Sequence, residues 1–120
     1  MTDSRALTHW LPVFGWAALI FALSSIPHLG TNLGTADLIL RKCAHMTEYA
    51  VLAFLLARAV GREAPALVVG VLYAISDEVH QGFVTGRHAS PIDVAIDTVG
   101  LLLGLFAWRR LSSSMPRLTH

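Results

Sequence analysis

Eight polar side chains with chemical potential crowd into the stretch Tyr73–Gly104: Asp77, Glu78, His80, Gln81, Arg87, His88, Asp93 and Asp97. These residue types support three kinds of chemistry. Carboxylates beside a histidine move protons, an arginine holds phosphate or another anion, and mixed nitrogen and oxygen donors bind divalent cations. A second group lies upstream, where Arg41, Lys42, His45, Glu48 and Tyr49 follow in close order. On a helix, positions 41, 45 and 48 share one face, and so do 42, 45 and 49. Asp77 and Gln81 are spaced i, i+4, Glu78 and Gln81 i, i+3, and Asp93, Asp97, Gly100 and Gly104 follow at i, i+4, i+7, i+11. Such spacings group the side chains only if both stretches are helical.

The elements that must position these groups are apolar. Of the 120 residues, 54% are hydrophobic and 14% charged, against about 25% charged in soluble domains. The chain therefore lacks the polar surface to cover a globule in water, and its length allows a single domain, residues 1–120. A net charge of +1 without a basic run argues against nucleic acid as a partner. The lone Cys43 excludes an internal disulfide and, by itself, a thiolate metal site. Among apolar neighbours it reads as an inert, packed thiol.

Four apolar segments fit into this length, at about 9–26, 41–60, 66–83 and 91–108. They predict an all-α integral membrane protein with four transmembrane helices in a compact bundle. A cleaved signal peptide is the rival for the first segment, with Ala22-Leu23-Ser24 as a small-residue site, but the apolar stretch is long for that role. The third segment is the demanding one. Its uninterrupted run, Ala66 to Ser76, rises only about 16 Å, so a span must continue through Asp77, Glu78 and Gln81 to Phe83. An isolated charge deep in a bilayer costs about 3 kcal/mol or more, so these residues must face a partner, a cavity or water. Gly61-Arg62-Glu63-Ala64-Pro65 reads as a tight turn into this helix, and Ser90-Pro91 as the cap and first turn of the last.

With four spans, Arg5, Arg58, Arg62, Arg109, Arg110 and Arg117 fall on one side and Arg41, Lys42 and Arg87 on the other. Six against three places both termini in the cytoplasm. The polar start of segment two, the polar end of segment three and the start of segment four then converge near the outer face.

At these residues the chain resembles the VanZ-like family, whose name comes from a protein linked to glycopeptide (teicoplanin) resistance. The resemblance rests on Lys42, His45 and Glu48-Tyr49, on Asp77-Glu78-Val79-His80-Gln81 with Phe83, on Gly86-Arg87, on Asp93, Asp97 and Gly100, and on LSSIP from Leu23 to Pro27. It covers about residues 10 to 108. Many members carry asparagine where this chain has Asp97, so a role built on an amide does not transfer to that position. The resemblance implies a multi-pass protein of the bacterial cytoplasmic membrane and an effect on glycopeptide susceptibility. It supplies no reaction.

The residues favour His45, Asp77 and Glu78 as the proton-transfer set. Lys42, Glu48, Tyr49, Gln81, Arg87, Asp93 and Asp97 line a binding site, with Arg87 on an anionic head group. The competing reading is a salt-bridge and hydrogen-bond network that only holds helices two, three and four together, although buried ion pairs add little net stability. No cofactor is called for. A divalent cation is the alternative, since His45, Glu48, Asp77, Glu78, Asp93 and Asp97 offer suitable donors, but neither His-Glu-x-x-His nor Glu-x-x-His occurs. His80 and His88 read as wet interfacial side chains, and Gly100 and Gly104 as packing. Three functions follow: an envelope protein binding a membrane lipid or lipid-linked cell-wall precursor, a membrane enzyme acting on one, and a small ion-coupled transporter. Carrier sites usually lie near the midplane on broken helices, which disfavours the last. Four short helices enclose little interior, which leaves room for a homo-oligomer.

Overall fold

A computed structural model describes residues 4–25, 35–83 and 91–114. Over these the chain forms four helices: α1 (Ser4–Ser24), α2 (Thr35–Val60), α3 (Glu63–Gln81) and α4 (Pro91–Ser114). Each expected helix is present, with shifted ends. α1 and α2 begin earlier than residues 9 and 41, α4 continues past 108, and α3 stops at Gln81 rather than Phe83. Hydropathy marks only the apolar part of a helix, whereas backbone hydrogen bonding carries it on until a breaker intervenes. Gly61 is such a breaker. Its φ of +83° is a conformation that suits glycine, and its N–H donates to the Ala57 carbonyl at 2.7 Å, closing α2.

Three helices hold stretches long and apolar enough to cross a membrane, Ala6–Ser24, Ile39–Val60 and Pro91–Ser113. The 19-residue α3 falls short of that measure because its last two turns carry Asp77, Glu78, His80 and Gln81. Apolar side chains cover much of the outside: Leu11 and Phe14 on α1, Leu40 on α2, Leu72 and Val79 on α3, Leu103 and Phe106 on α4. Buried among the helices instead are Ser24, Asp77, Glu78, Gln81 and Asp97. A surface richer in large apolar groups than the interior around these residues suits hydrocarbon rather than water.

α2 is the central helix. It packs most extensively on α4 and also on α1 and α3, while α1 and α4 make no close approach. Side-chain pairs set the directions. Arg58 and Trp16 of facing helices donate to the carbonyls of Thr8 and Glu48, so α1 and α2 are antiparallel. Lys42 meets Asp93, Gly100 faces Met46 and Gly104 faces Ala50, so α2 and α4 run in the same direction. The chain therefore goes up, down, up and down.

Gly100 and Gly104 explain why α2 and α4 come so close. A Cβ at either would lie under 3.0 Å from a backbone carbonyl oxygen of α2, Met46 or Ala50 respectively. Small residues one turn apart let helix backbones touch where no hydrophobic force drives them together. Pro12 inside α1 has a different consequence. Lacking an N–H, it cannot bond the Thr8 carbonyl one turn back, and Arg58 Nη2 donates to that oxygen at 3.1 Å.

Candidate functional site

The polar residues gather where α1 and α3 end and α2 and α4 begin. On α3 one stripe supplies the buried positions Ala66, Gly70, Ala74, Asp77, Glu78 and Gln81. The helical period that turns small residues inward thus also turns the acids inward. On α2 the face used is 42, 45 and 49. On α4 the stripe Asp93, Asp97, Gly100, Gly104 lies against it.

Asp77 is 2% exposed, and its Oδ2 accepts from Tyr49 Oη at 3.0 Å, Ser24 Oγ at 3.0 Å and Gln81 Nε2 at 3.4 Å. Gln81 Nε2 also donates to Ser24 Oγ at 3.2 Å. Residues of α1, α2 and α3 thus orient one carboxylate. His45 Nδ1 and Asp97 Oδ1 lie 3.3 Å apart, without the alignment of a hydrogen bond. Asp97 is 1% exposed, and neither of its oxygens has a hydrogen-bond donor, nor does Asp77 Oδ1. One ring nitrogen of His45 and one oxygen each of Asp77 and Asp97 fall within 4.8 Å of one another. Lys42 pairs with Asp93 one turn nearer the helix starts.

The cluster is shallow but not superficial. About 6 Å of helix separates Asp77 from the end of α3, and about 9 Å separates His45 from Ile39, where the apolar part of α2 begins.

The structure brings together His45, Asp77, Tyr49, Gln81 and Asp97, with the Lys42–Asp93 pair beside them. Glu78 is buried on the same turns of α3 but outside the group formed by His45, Asp77 and Asp97, and Glu48 is half-buried on α2, also outside it. Arg87, His88 and Ser90 lie outside the described residues. Two expectations need correction. Cys43 is exposed rather than packed, because its helical phase points away from the neighbouring helices. His80 is not simply a wet interfacial side chain: it is half-buried, stacks on Phe21 with ring centroids 4.1 Å apart, and its Nε2 lies 2.9 Å from Ser25 Oγ.

Ser24 is the functional candidate that sequence reasoning missed, although it stands inside the LSSIP segment. It is 3% exposed and bonded to Asp77. The available signal was a pair of hydroxyls at the end of an otherwise apolar helix, where a lipid-facing position would leave them unsatisfied.

At the opposite end, Arg109 pairs with Glu63 between α4 and α3. The hydrogen bond and charge of Arg109 hold the Glu63 carboxyl below its ordinary value.

No curated protein and no solved structure matches the chain. A model of the VanZ/LLP1 family matches residues 3–112, which takes in all four helices nearly to the end of α4 and every residue of the buried cluster. The chain belongs to the VanZ/LLP1 family.

Proposed function

We propose that this protein spans the bacterial cytoplasmic membrane four times, with both termini in the cytoplasm, and receives the polar head of a membrane lipid or lipid-linked cell-wall precursor at its outer face. The observation that carries this reading is the buried cluster of Ser24, His45, Tyr49, Asp77, Gln81 and Asp97 at one end of a bundle with an apolar exterior. α3 is the fourth span. Val68, Val69, Leu72, Ile75, Val79 and Phe83 point outward while the polar groups point in, so lipid meets an apolar stripe that averaging over the helix conceals. Hydroxyl or amine donors of a head group would satisfy the open carboxylate oxygens of Asp77 and Asp97, and Lys42 with Arg87 would take its phosphate. Occupying such a precursor would alter access for glycopeptides, hence susceptibility to teicoplanin.

The test is native mass spectrometry of protein purified in mild detergent, wild type beside Arg87→Ala and Lys42→Gln. Retained lipid that is lost in the variants supports the reading, whereas an empty wild type of unchanged stability returns the cluster to a purely structural role. Orientation is checked in a Cys43→Ser background: Thr85→Cys should label from outside and Ala64→Cys should not.

One observation favours a second reading, a membrane enzyme on the same lipid. A carboxylate 3.3 Å from an imidazole nitrogen can set the tautomer of His45 and stabilise its protonated form during proton transfer. His45→Ala would then abolish turnover while lipid retention partly survives. In a binding protein, retention and biological activity fall together. The described helices are unbroken at the cluster, which disfavours an ion-coupled carrier.

A further inference from the structure

The three oxygens left without donors raise a question of charge. Asp77 and Asp97 are almost fully buried, and His45 is the basic side chain that meets them, its Nδ1 3.3 Å from Asp97 Oδ1. With a neutral imidazole, two carboxylates place two formal negative charges in one small volume, at a cost of several kcal/mol each when uncompensated. Lys42 is engaged by Asp93. The arrangement around Asp77 adds a second, independent observation. Tyr49, Ser24 and Gln81 all address Oδ2, which locks the carboxylate plane and leaves the buried Oδ1 without a donor. Outer hydrogen bonds that fix a carboxylate and spare one oxygen are the arrangement found around metal ligands.

We infer that His45, Asp77 and Asp97 form a binding site for one divalent transition-metal cation. Ligand bonds of about 2.0–2.2 Å put neighbouring donors on a tetrahedron or octahedron about 3.0–3.5 Å apart and opposed ones about 4.2 Å apart. The 3.3 Å between His45 Nδ1 and Asp97 Oδ1 matches the first value, and the 4.8 Å limit for the set of three exceeds the opposed separation by about 0.6 Å and the adjacent one by about 1.3 Å, so binding draws the ligands together by up to that amount. One imidazole with two carboxylates selects ions such as Zn²⁺, Mn²⁺ or Fe²⁺ over Mg²⁺ and Ca²⁺, which prefer oxygen alone. The ion cancels both carboxylate charges, so the site becomes neutral inside an apolar bundle. Three protein ligands leave coordination positions open. The inference rests on the head-group reading only in that an open position would take the phosphate or hydroxyl of that lipid.

The experiment uses the full chain in mild detergent, stripped with EDTA and reloaded with Zn²⁺, Mn²⁺ or Co²⁺ singly. Metal per chain is counted by mass spectrometry of the eluted protein, and the Co²⁺ form is followed by visible absorption. The expected result is about one ion per chain, affinity lower by about 100-fold or more in His45→Gln and Asp97→Asn, and little change in Glu63→Gln at the opposite end of the bundle. Wild type that takes up no ion overturns the inference without reference to any variant, as does binding unchanged in both variants when they elute as folded protein. Should both variants aggregate, the wild-type Co²⁺ spectrum decides: bands of a site with mixed nitrogen and oxygen ligands support it, and the spectrum of hydrated Co²⁺ overturns it. Lipid retention is read on the same stripped and reloaded samples. Metal bound without lipid sinks the head-group reading alone, and lipid retained by protein that binds no metal sinks the cation alone.

Discussion

Replacing Gly104 with alanine drives a methyl group into the backbone of the neighbouring helix. The new Cβ would stand 2.8 Å from the Ala50 carbonyl carbon and 2.9 Å from its Cα, where ordinary contact begins at 3.4 Å. The difference, 3.4 minus 2.8, gives about 0.6 Å, and because the Ala50 carbonyl oxygen lies closer still, α2 and α4 must part by more than that at this level. No rotamer relieves the clash, because every atom met belongs to the backbone. Overpacking of this kind costs about 1–3 kcal/mol, and a gap of about 0.5–1 Å forfeits a quarter to a half of the dispersion energy along the opened seam. Alanine recovers about 0.5–1 kcal/mol of helix propensity, so the net loss is about 2 kcal/mol. SDS titration in mild detergent, followed by far-ultraviolet circular dichroism, measures it. Gly100→Ala should behave similarly but more mildly, since its Cβ would meet the Met46 Cα and carbonyl carbon at 3.1 Å. Gly70→Ala meets only Leu101 side-chain atoms, which can rotate, and Gly15→Ala meets nothing within 4 Å and should be neutral or stabilising. Because the same seam holds His45 against Asp97, Gly104→Ala should also weaken whatever the cluster binds. A Gly104→Ala protein as stable as wild type, or an order of costs with Gly15 at the top, would refute the close α2–α4 contact.

Two further outcomes follow from the polar contacts. Tyr49→Phe removes a buried donor from Asp77 and should cost about 1–3 kcal/mol, with much less effect in an Asp77→Asn background, measured by the same titration. For the Glu63–Arg109 pair, the folded-state carboxyl value lies below the ordinary 4.5, so its contribution is present above that pH and lost as pH falls through the lowered value. The pair is exposed to solvent and screened by salt. The difference between wild type and Glu63→Gln should therefore be small at neutral pH, fade below about pH 4.5, and vanish in high salt; a difference that grows on acidification would contradict the assigned pairing.

Much of this protein was legible in its sequence because the membrane leaves few alternatives. Backbone groups in hydrocarbon must be satisfied within a helix, so apolar runs dictated helices, three of them long and apolar enough to cross a membrane. Short-range spacing was equally decisive. Asp97, Gly100 and Gly104 had to share a face, and Gly100 and Gly104 do serve close packing. Spacing could not say which of two overlapping faces of α2 turns inward, since His45 belongs to both sets. Packing brought Lys42 to Asp93 of α4 and Tyr49 to Asp77 of α3. The partner of His45 was also a tertiary outcome: the sequence set Asp77 and Glu78 with His45 for proton transfer, whereas Asp97 lies 3.3 Å away because two glycines on α4 bring that helix against α2. Ser24 shows the limit most plainly. It is 53 positions from Asp77 along the chain, and only the packing of α1 beside α3 makes its hydroxyl part of the site. Helical period follows from local backbone geometry and can be counted along a sequence. Which helices become neighbours, and at what distance, depends on side-chain fit between segments far apart in the chain, and that is settled only in the folded bundle.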